Sequence, residues 1–323
     1  MNELLAVRPS SLGDVVHALA LVADVRAAHP ELAIDWVAEQ AFVELPALCP
    51  DVRRTVPIAL RRWRHALFAR DTWREVHAFR MALRHSRYDV ILDLQEQVKG
   101  GIVSRTARGV RHGFDRSSIR EPIATVFDDV HHRISRTLHF STRCRMLAAA
   151  ALGYTIEGPP RWRFAVPEQV DTMPVQRYVV ALHATSRADK LWPEADWQAL
   201  LARFSGAGLA IVLPWGSADE RIRSERLAAG VRGAVVPPRQ PLTSLATLLA
   251  HAEIVVGVDT GLTHFAAALG APTLALFTRT DPARAGVAIT GSHARDLGGN
   301  GCVPSAGDVL AAAGEMMRNA PRC

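Results

Sequence analysis

Long apolar runs are missing from this sequence: no stretch approaches the roughly 20 uninterrupted apolar residues that a membrane-spanning helix needs. The start, Met1 into Glu3-Leu4-Leu5-Ala6-Val7, has no basic n-region, no long apolar h-region and no small-residue cleavage site, so a secretory signal is not expected. Cysteine is scarce. Cys49, Cys144, Cys302 and Cys323 lie too far apart for a metal knuckle or a dense disulfide framework, and a reducing compartment is the simple reading. Lysine is almost absent, since of 38 basic residues only Lys99 and Lys190 are lysine and 36 are arginine. That bias is of the kind codon usage produces. A lysine retained against it marks a place where a compact, hydrated point charge is wanted and a planar fork is not. Heptads, short repeats, low-complexity tracts, a G-x-G-x-x-G dinucleotide fingerprint and an Asp-x-Asp metal pair are missing as well.

With 323 residues, 49% hydrophobic and 22% charged, the chain has the size for two cores of about 150 residues each. The formal net charge of +6 points to anionic partners without choosing among nucleic acid, a phospholipid surface and phosphorylated small molecules. Its distribution is uneven. From Arg53 to Arg87 there are ten arginines against two acids, Asp71 and Glu75, a pattern that a solvated helical face would also give. Base-stacking aromatics and nucleic-acid-binding modules are not apparent, which disfavours a nucleic-acid partner.

Patterning predicts strands at 3–8, 34–38 and 88–94, with a helix over 14–29. After a polar, proline-containing stretch it predicts a second series at 178–184, 209–214, 234–236, 254–258 and 273–277. Strands alternating with helices argue for parallel sheets covered on both faces, hence an α/β chain of two successive units. The prolines of Pro167–Pro174 suggest a linker. A last helix, 306–319, follows Gly298-Gly299-Asn300-Gly301. Ligands of open α/β sheets bind outside the carboxyl ends of the strands, so loops after strands come first.

Three such loops stand out. Ser10-Ser11-Leu12-Gly13-Asp14 joins the first strand to the first helix. Asp14 there either complements the helix dipole, with Ser10 or Ser11 as cap, or serves as a general base. His183-Ala184-Thr185-Ser186 is followed by Lys190-Leu191-Trp192-Pro193, where two hydroxyls and a lysine can hold a phosphate; an ordinary capped strand-to-helix loop looks similar. Gly257-Val258-Asp259-Thr260-Gly261-Leu262-Thr263-His264 ends a strand and opens a helix, whose amides and partial positive charge suit an anion. Asp259 is poorly suited to a phosphate and better suited to capping the helix or accepting sugar hydroxyls. Pro214-Trp215-Gly216-Ser217-Ala218-Asp219-Glu220 and Pro237-Pro238-Arg239-Gln240-Pro241 fall on the same sheet edge.

Taken in this order, these segments resemble the ADP-heptose:lipopolysaccharide heptosyltransferases. Arg61-Arg62-Trp63-Arg64, and Gly113 with Arg120-Glu121-Pro122, are similar to the heptosyltransferase I branch of that family. The resemblance runs from Val7 to Pro282. It implies an α/β GT-B architecture, two Rossmann-like domains with parallel sheets facing across a cleft: an acceptor-binding domain at 1–166, a linker at 167–174, an ADP-sugar domain at 175–305 and a C-terminal helix at 306–323. It further implies an inverting transfer of heptose from ADP-heptose to the first Kdo sugar of Kdo-lipid A. Asp14 would then be the general base and Lys190 would neutralise the charge growing on departing ADP. Thr185, Ser186, Glu220, Asp259, Thr260, Gly261, Leu262 and His264 would complete the donor site. Ser10, Ser11, Gly13, Arg61, Arg62, Arg64 and Arg120 would meet the acceptor. No cofactor, metal or protein partner is implied, and the enzyme would work at the anionic cytoplasmic face of the inner membrane as a peripheral protein.

Rival readings are a second heptosyltransferase type with a heptose acceptor, a sugar-nucleotide enzyme such as an epimerase, and a non-enzymatic binder of nucleic acid or membrane using the arginines. The chain departs from the family pattern at Thr278-Arg279-Thr280-Asp281-Pro282, where Gly-Pro-Thr-x-Pro is usual, and at Gln240, where an apolar residue would meet adenine.

Overall fold

In the computed structural model, which describes residues 1–169, 174 and 176–319, the chain divides into two compact units, Met1–Ala165 and Val166–Cys323. Residues 170–173, within the expected linker, lie outside the described residues, as does 175.

The first unit is built on β1 (Glu3–Val7), β2 (Ala33–Glu39), β3 (Val52–Ile58), β4 (Arg87–Asp93), β5 (Arg108–Phe114) and β6 (Val130–His132). The second uses β7 (Tyr178–Leu182), β8 (Ala210–Val212), β9 (Ala234–Val235), β10 (Ile254–Val258), β11 (Thr273–Phe277) and β12 (Ala294–Gly298). Within each sheet every pairing of these strands is parallel, in the orders β3-β2-β1-β4-β5-β6 and β12-β11-β10-β7-β8-β9. Counted within its unit, each order is the Rossmann arrangement 3-2-1-4-5-6.

The central strands follow from composition. Strands β1, β7, β10 and β11, and the Val90–Leu92 part of β4, are apolar and almost wholly buried, as parallel strands covered by helices on both faces must be. The final helix, Ala306–Asn319, sends Val309, Ala312 and Ala313 into the same core cluster as Trp197, Leu200 and Leu274, so it packs as part of the second unit.

Strands β3, β5, β6 and β12 were not apparent in the patterning. β3 is an edge strand, which is where a residue like Pro57 is tolerated. β6 has three residues and β12 reads Ala-Arg-Asp-Leu-Gly, while β5 carries two glycines and three basic residues. The expected glycine-rich loop therefore starts inside β12, at Gly298. The first helix begins at Leu12, before the expected Asp14. Part of the arginine-rich stretch is structural: Asp35, fully buried in β2, accepts from Arg53 Nε at 2.9 Å, Arg54 Nη2 at 2.7 Å and the Tyr88 hydroxyl at 2.8 Å. Burial would raise the Asp35 pKa, but these donors outweigh it and lower it, so the ion cluster ties β2, β3 and β4 together.

Candidate active site

Strand order, which the sequence leaves open, decides where each unit's site lies. In an open α/β sheet the ligand crevice forms where successive connections leave in opposite directions. In the second unit that switch falls between β7 and β10, between the loops carrying Thr185–Lys190 and Asp259–Gly261. The two loops are bonded to each other. Lys190 Nζ donates to Asp259 Oδ2 at 2.7 Å, Thr185 Oγ1 donates to the Asp259 carbonyl at 3.1 Å, and His264 Nε2 lies 3.2 Å from Asp259 Oδ1. Burial alone would raise the Asp259 pKa. The bond and attraction to His264, with bonds from Lys190 and Thr280, outweigh it and hold the carboxyl well below the usual carboxylate range.

Helix Gly261–Ala268 starts on this spot, and its N-cap residue, Thr260, makes no side-chain capping bond to the first amides. Gly257 is required behind it, because a Cβ there would fall 2.1 Å from Thr263 Oγ1, which is itself bonded to the Val258 carbonyl at 2.7 Å. Trp192, 1% exposed, anchors the Lys190 loop through its indole donating to the Pro304 carbonyl and an edge contact with Trp197. Thr278 Oγ1 donates to the Asp189 carbonyl at 2.9 Å, so the segment that departs from Gly-Pro braces the same loop.

In the first unit the switch falls between β1 and β4, between the loops carrying Ser10–Asp14 and Leu94–Lys99. Asp14 Oδ2 accepts from the Ser11 amide at 2.9 Å and the Ser11 hydroxyl at 2.8 Å, and pairs with Arg8 Nη2 at 3.0 Å. The Asp14 side chain is 39% exposed while that of Arg8 is 6% exposed, so the carboxylate is held from beneath and open above. Desolvation works to raise its pKa; the Arg8 charge and the Ser11 bonds overcome it and lower it, keeping the group ionised.

Lys99 Nζ donates to Ser10 Oγ at 3.3 Å. Burial and the charges of Arg8, Arg61 and Arg120 lower its pKa against the opposing pull of Asp14, so the loops after β1, β3, β4 and β5 place these groups within electrostatic reach. Glu121 makes the geometry: its carboxylate accepts from the Val98 amide at 2.9 Å and Gln97 Nε2 at 2.8 Å, fastening Arg120 beside the Lys99 helix. Gly113 is needed because a Cβ would sit 1.9 Å from Asp128 Oδ2. Beneath lie Asp93, pushed up to about 8 by burial and the nearby Asp128, and Asp128, pushed up to about 7 by burial and Asp129. Among the described residues no group of three or more His, Cys, Asp or Glu side chains is placed to hold a metal ion.

Residues 76–305 match the family described as Glycosyltransferase family 9 (heptosyltransferase). The chain belongs to that family. It is 40% identical over 284 residues to lipopolysaccharide heptosyltransferase 1 of Escherichia coli K12, covering 87% of this chain and 89% of the relative. Among solved structures it is similar to the E. coli heptosyltransferase WaaC with ADP, at TM-score 0.88 and 36% identity over 98% of this chain and 100% of that one. WaaC with ADP-2-deoxy-2-fluoro heptose aligns at TM-score 0.83 and 35% identity, covering 98% and 99%. The architecture is the GT-B fold.

In this family 9 glycosyltransferase the structure brings Thr185, Lys190, Asp259, Thr260, Gly261 and His264 into one cluster, with Leu262 on the same helix turn. Three of the expected site residues have other partners here. Asp259 does not cap that helix, because its carboxylate is spent on Lys190 and His264. Glu220 Oε2 is occupied as the second half of a capping box, accepting from the Gly216 and Ser217 amides at 2.7 and 3.2 Å. Arg62 is not a free acceptor fork, since it forms a bidentate pair with Glu75 at 2.9 and 2.7 Å. Arg61 lies over the Phe42 ring, Arg64 bonds to His65, and Ser186 and Arg120 are exposed. Ser10 and Gly13 are buried, so their contribution is to shape the loop. Arg8 and Lys99, not among the expected site residues, stand beside Asp14 and Ser10. Lys99's rarity as a lysine was the available signal; for Arg8 there was none.

Proposed function

We propose that this enzyme transfers L-glycero-D-manno-heptose from ADP-heptose to the first Kdo residue of Kdo-lipid A, by an inverting, metal-independent displacement at the cytoplasmic face of the inner membrane. The observation that carries the reading is the Lys190–Asp259 cluster set against an uncapped helix N-terminus at the switch point of the second sheet. In this scheme the pyrophosphate lies against the Gly261 and Leu262 amides, where the helix end supplies about half a positive charge. Lys190 follows the negative charge that develops as the bond from the anomeric carbon to the phosphate oxygen breaks. Thr185 and Ser186 add hydroxyl donors, and the remaining Glu220 oxygen accepts from the ribose.

Asp14 takes the proton of the acceptor hydroxyl as its oxygen attacks the anomeric carbon from the face opposite ADP, which inverts the configuration. A positioned base of this kind is worth about 10² to 10⁴ in rate. Arg8 keeps it deprotonated between turnovers. Lys99, Arg61, Arg64 and Arg120 form the anionic subsite for the Kdo carboxylates and lipid A phosphates, the arginines through forked donors.

The test is ADP release from ADP-heptose, with and without Kdo-lipid A, in EDTA, for the parent and Asp14→Asn. Release that requires the acceptor, survives EDTA and is lost in Asp14→Asn, with ADP affinity retained, is the expected result. Equal release by Asp14→Asn would remove the base from the scheme, and a requirement for divalent metal would remove its metal-free leaving-group step.

A further inference from the structure

Three large apolar side chains stand in solvent within the arginine-rich stretch: Leu67 at 53%, Phe68 at 101% and Trp73 at 61% exposed. They are held as one tip. The Trp73 indole donates to the Leu67 carbonyl at 2.8 Å, closing the turn onto the start of helix Arg70–Arg84, whose inner face is fixed to the core by Thr72, Phe79 and Leu83. Both acids of the stretch are matched, Asp71 by Arg74 at 3.3 Å and Glu75 by Arg62. Arg61, Arg64, Arg70 and Arg80 have no acidic partner among the described residues, so the stretch that bears the apolar tip carries uncompensated positive charge.

Its place in the fold is informative. The tip follows β3 and therefore leaves the same carboxyl edge of the parallel sheet as Asp14 after β1 and Lys99 after β4. Ile123 and Val126, each 69% exposed and one turn apart in the 3₁₀ segment Pro122–Phe127, follow β5 at that edge. β3 and β5 are four strands apart, roughly 19 Å at the usual strand spacing. Two apolar prongs thus flank the cationic subsite, where a solvated helix face would put charged groups instead. Aromatic side chains in a basic surround fit the boundary between headgroups and acyl chains of an anionic bilayer, where the rings enter and the guanidinium groups meet phosphate.

We propose that Leu67, Phe68 and Trp73 form a membrane-docking tip for an anionic lipid surface, with Arg70 binding lipid phosphates beside it and Ile123 and Val126 as a second point of entry. The proposal rests on the lipid-borne acceptor of the proposed function and names the surface that would reach it.

The experiment is co-sedimentation of the full chain with vesicles of phosphatidylglycerol in phosphatidylethanolamine, and with phosphatidylcholine vesicles, for the parent, Leu67→Ser/Phe68→Ser and Arg70→Gln. The parent should bind the anionic vesicles and not the zwitterionic ones. The double variant should lose about tenfold or more in partitioning, and Arg70→Gln should bind less and with a weaker salt dependence. Because these side chains are exposed, the unfolding midpoint of each variant should match the parent. Turnover of the double variant on a soluble Kdo acceptor without acyl chains should stay unchanged, while turnover on vesicle-borne Kdo-lipid A falls. Undiminished vesicle binding by both variants, or equal loss on both acceptors, would overturn the tip. Vesicle binding uses no acceptor, so a parent inactive on every Kdo acceptor would sink the proposed reaction and leave the tip to be judged by sedimentation alone.

Discussion

Replacing Lys190 by methionine separates a catalytic cation from a structural one. An ammonium about 4 Å from a pyrophosphate oxygen gains about 4 kcal/mol at the effective dielectric of a protein surface. Lys190 is 20% exposed and already held by Asp259 at 2.7 Å, so part of that attraction is screened or shared. A loss of about 2 to 3 kcal/mol is left, or roughly 30- to 150-fold in kcat/KM for ADP-heptose. Stability also falls, by about 1 to 3 kcal/mol, because Asp259 is left buried with fewer partners. Lys190→Met/Asp259→Asn removes the orphaned charge. It should recover most of the melting temperature while kcat/KM stays low, read by thermal unfolding beside coupled ADP release. If the double variant recovers both, the lysine serves only to neutralise Asp259 and the assignment of Lys190 to the leaving group fails.

Other consequences follow from the first unit. Arg8→Gln removes the charge that lowers the Asp14 pKa, so the acid limb of the kcat/KM profile, expected below the ordinary aspartate value of about 3.9, should move upward; a limb that stays put would separate it from Asp14. Arg120→Ala and Lys99→Met should each raise the acceptor KM about tenfold with ADP affinity unchanged by calorimetry, and an effect on ADP would misplace them. Asp93, whose folded pKa of about 8 lies above its unfolded value, is protonated in the native state, so stability is fully present below the unfolded pKa and declines as pH rises toward 8. Asp93→Asn should therefore gain on the parent by up to about 2 to 3 kcal/mol between pH 6 and 8 in urea unfolding; a constant difference across that range would contradict a buried neutral acid.

How much of this was legible depended on how far apart the interacting groups lie in the chain. Strands buried on both faces, such as Ile254–Val258, announce themselves by composition, whereas edge strands such as Val52–Ile58 and Ala294–Gly298 are half solvated and read as loop. Loops that carry motifs were legible because their residue types are unusual after a strand. What those residues touch was not: Lys190 meets Asp259 across 69 positions and Lys99 meets Ser10 across 89, and only the strand order makes these loops neighbours. Glu220 shows the converse. Ser217 followed three residues later by Glu220 is a local capping signature, readable without any fold. Asp14 has the same local chemistry, accepting from the Ser11 amide as a capping carboxylate does. The difference lies underneath. Glu220 completes its box on a surface turn, while Asp14 is paired with an arginine almost wholly out of solvent at a switch point of the sheet. The same capping geometry thus sits on a surface turn in one unit and over a buried arginine in the other, and only the second setting fits the base of the proposed reaction.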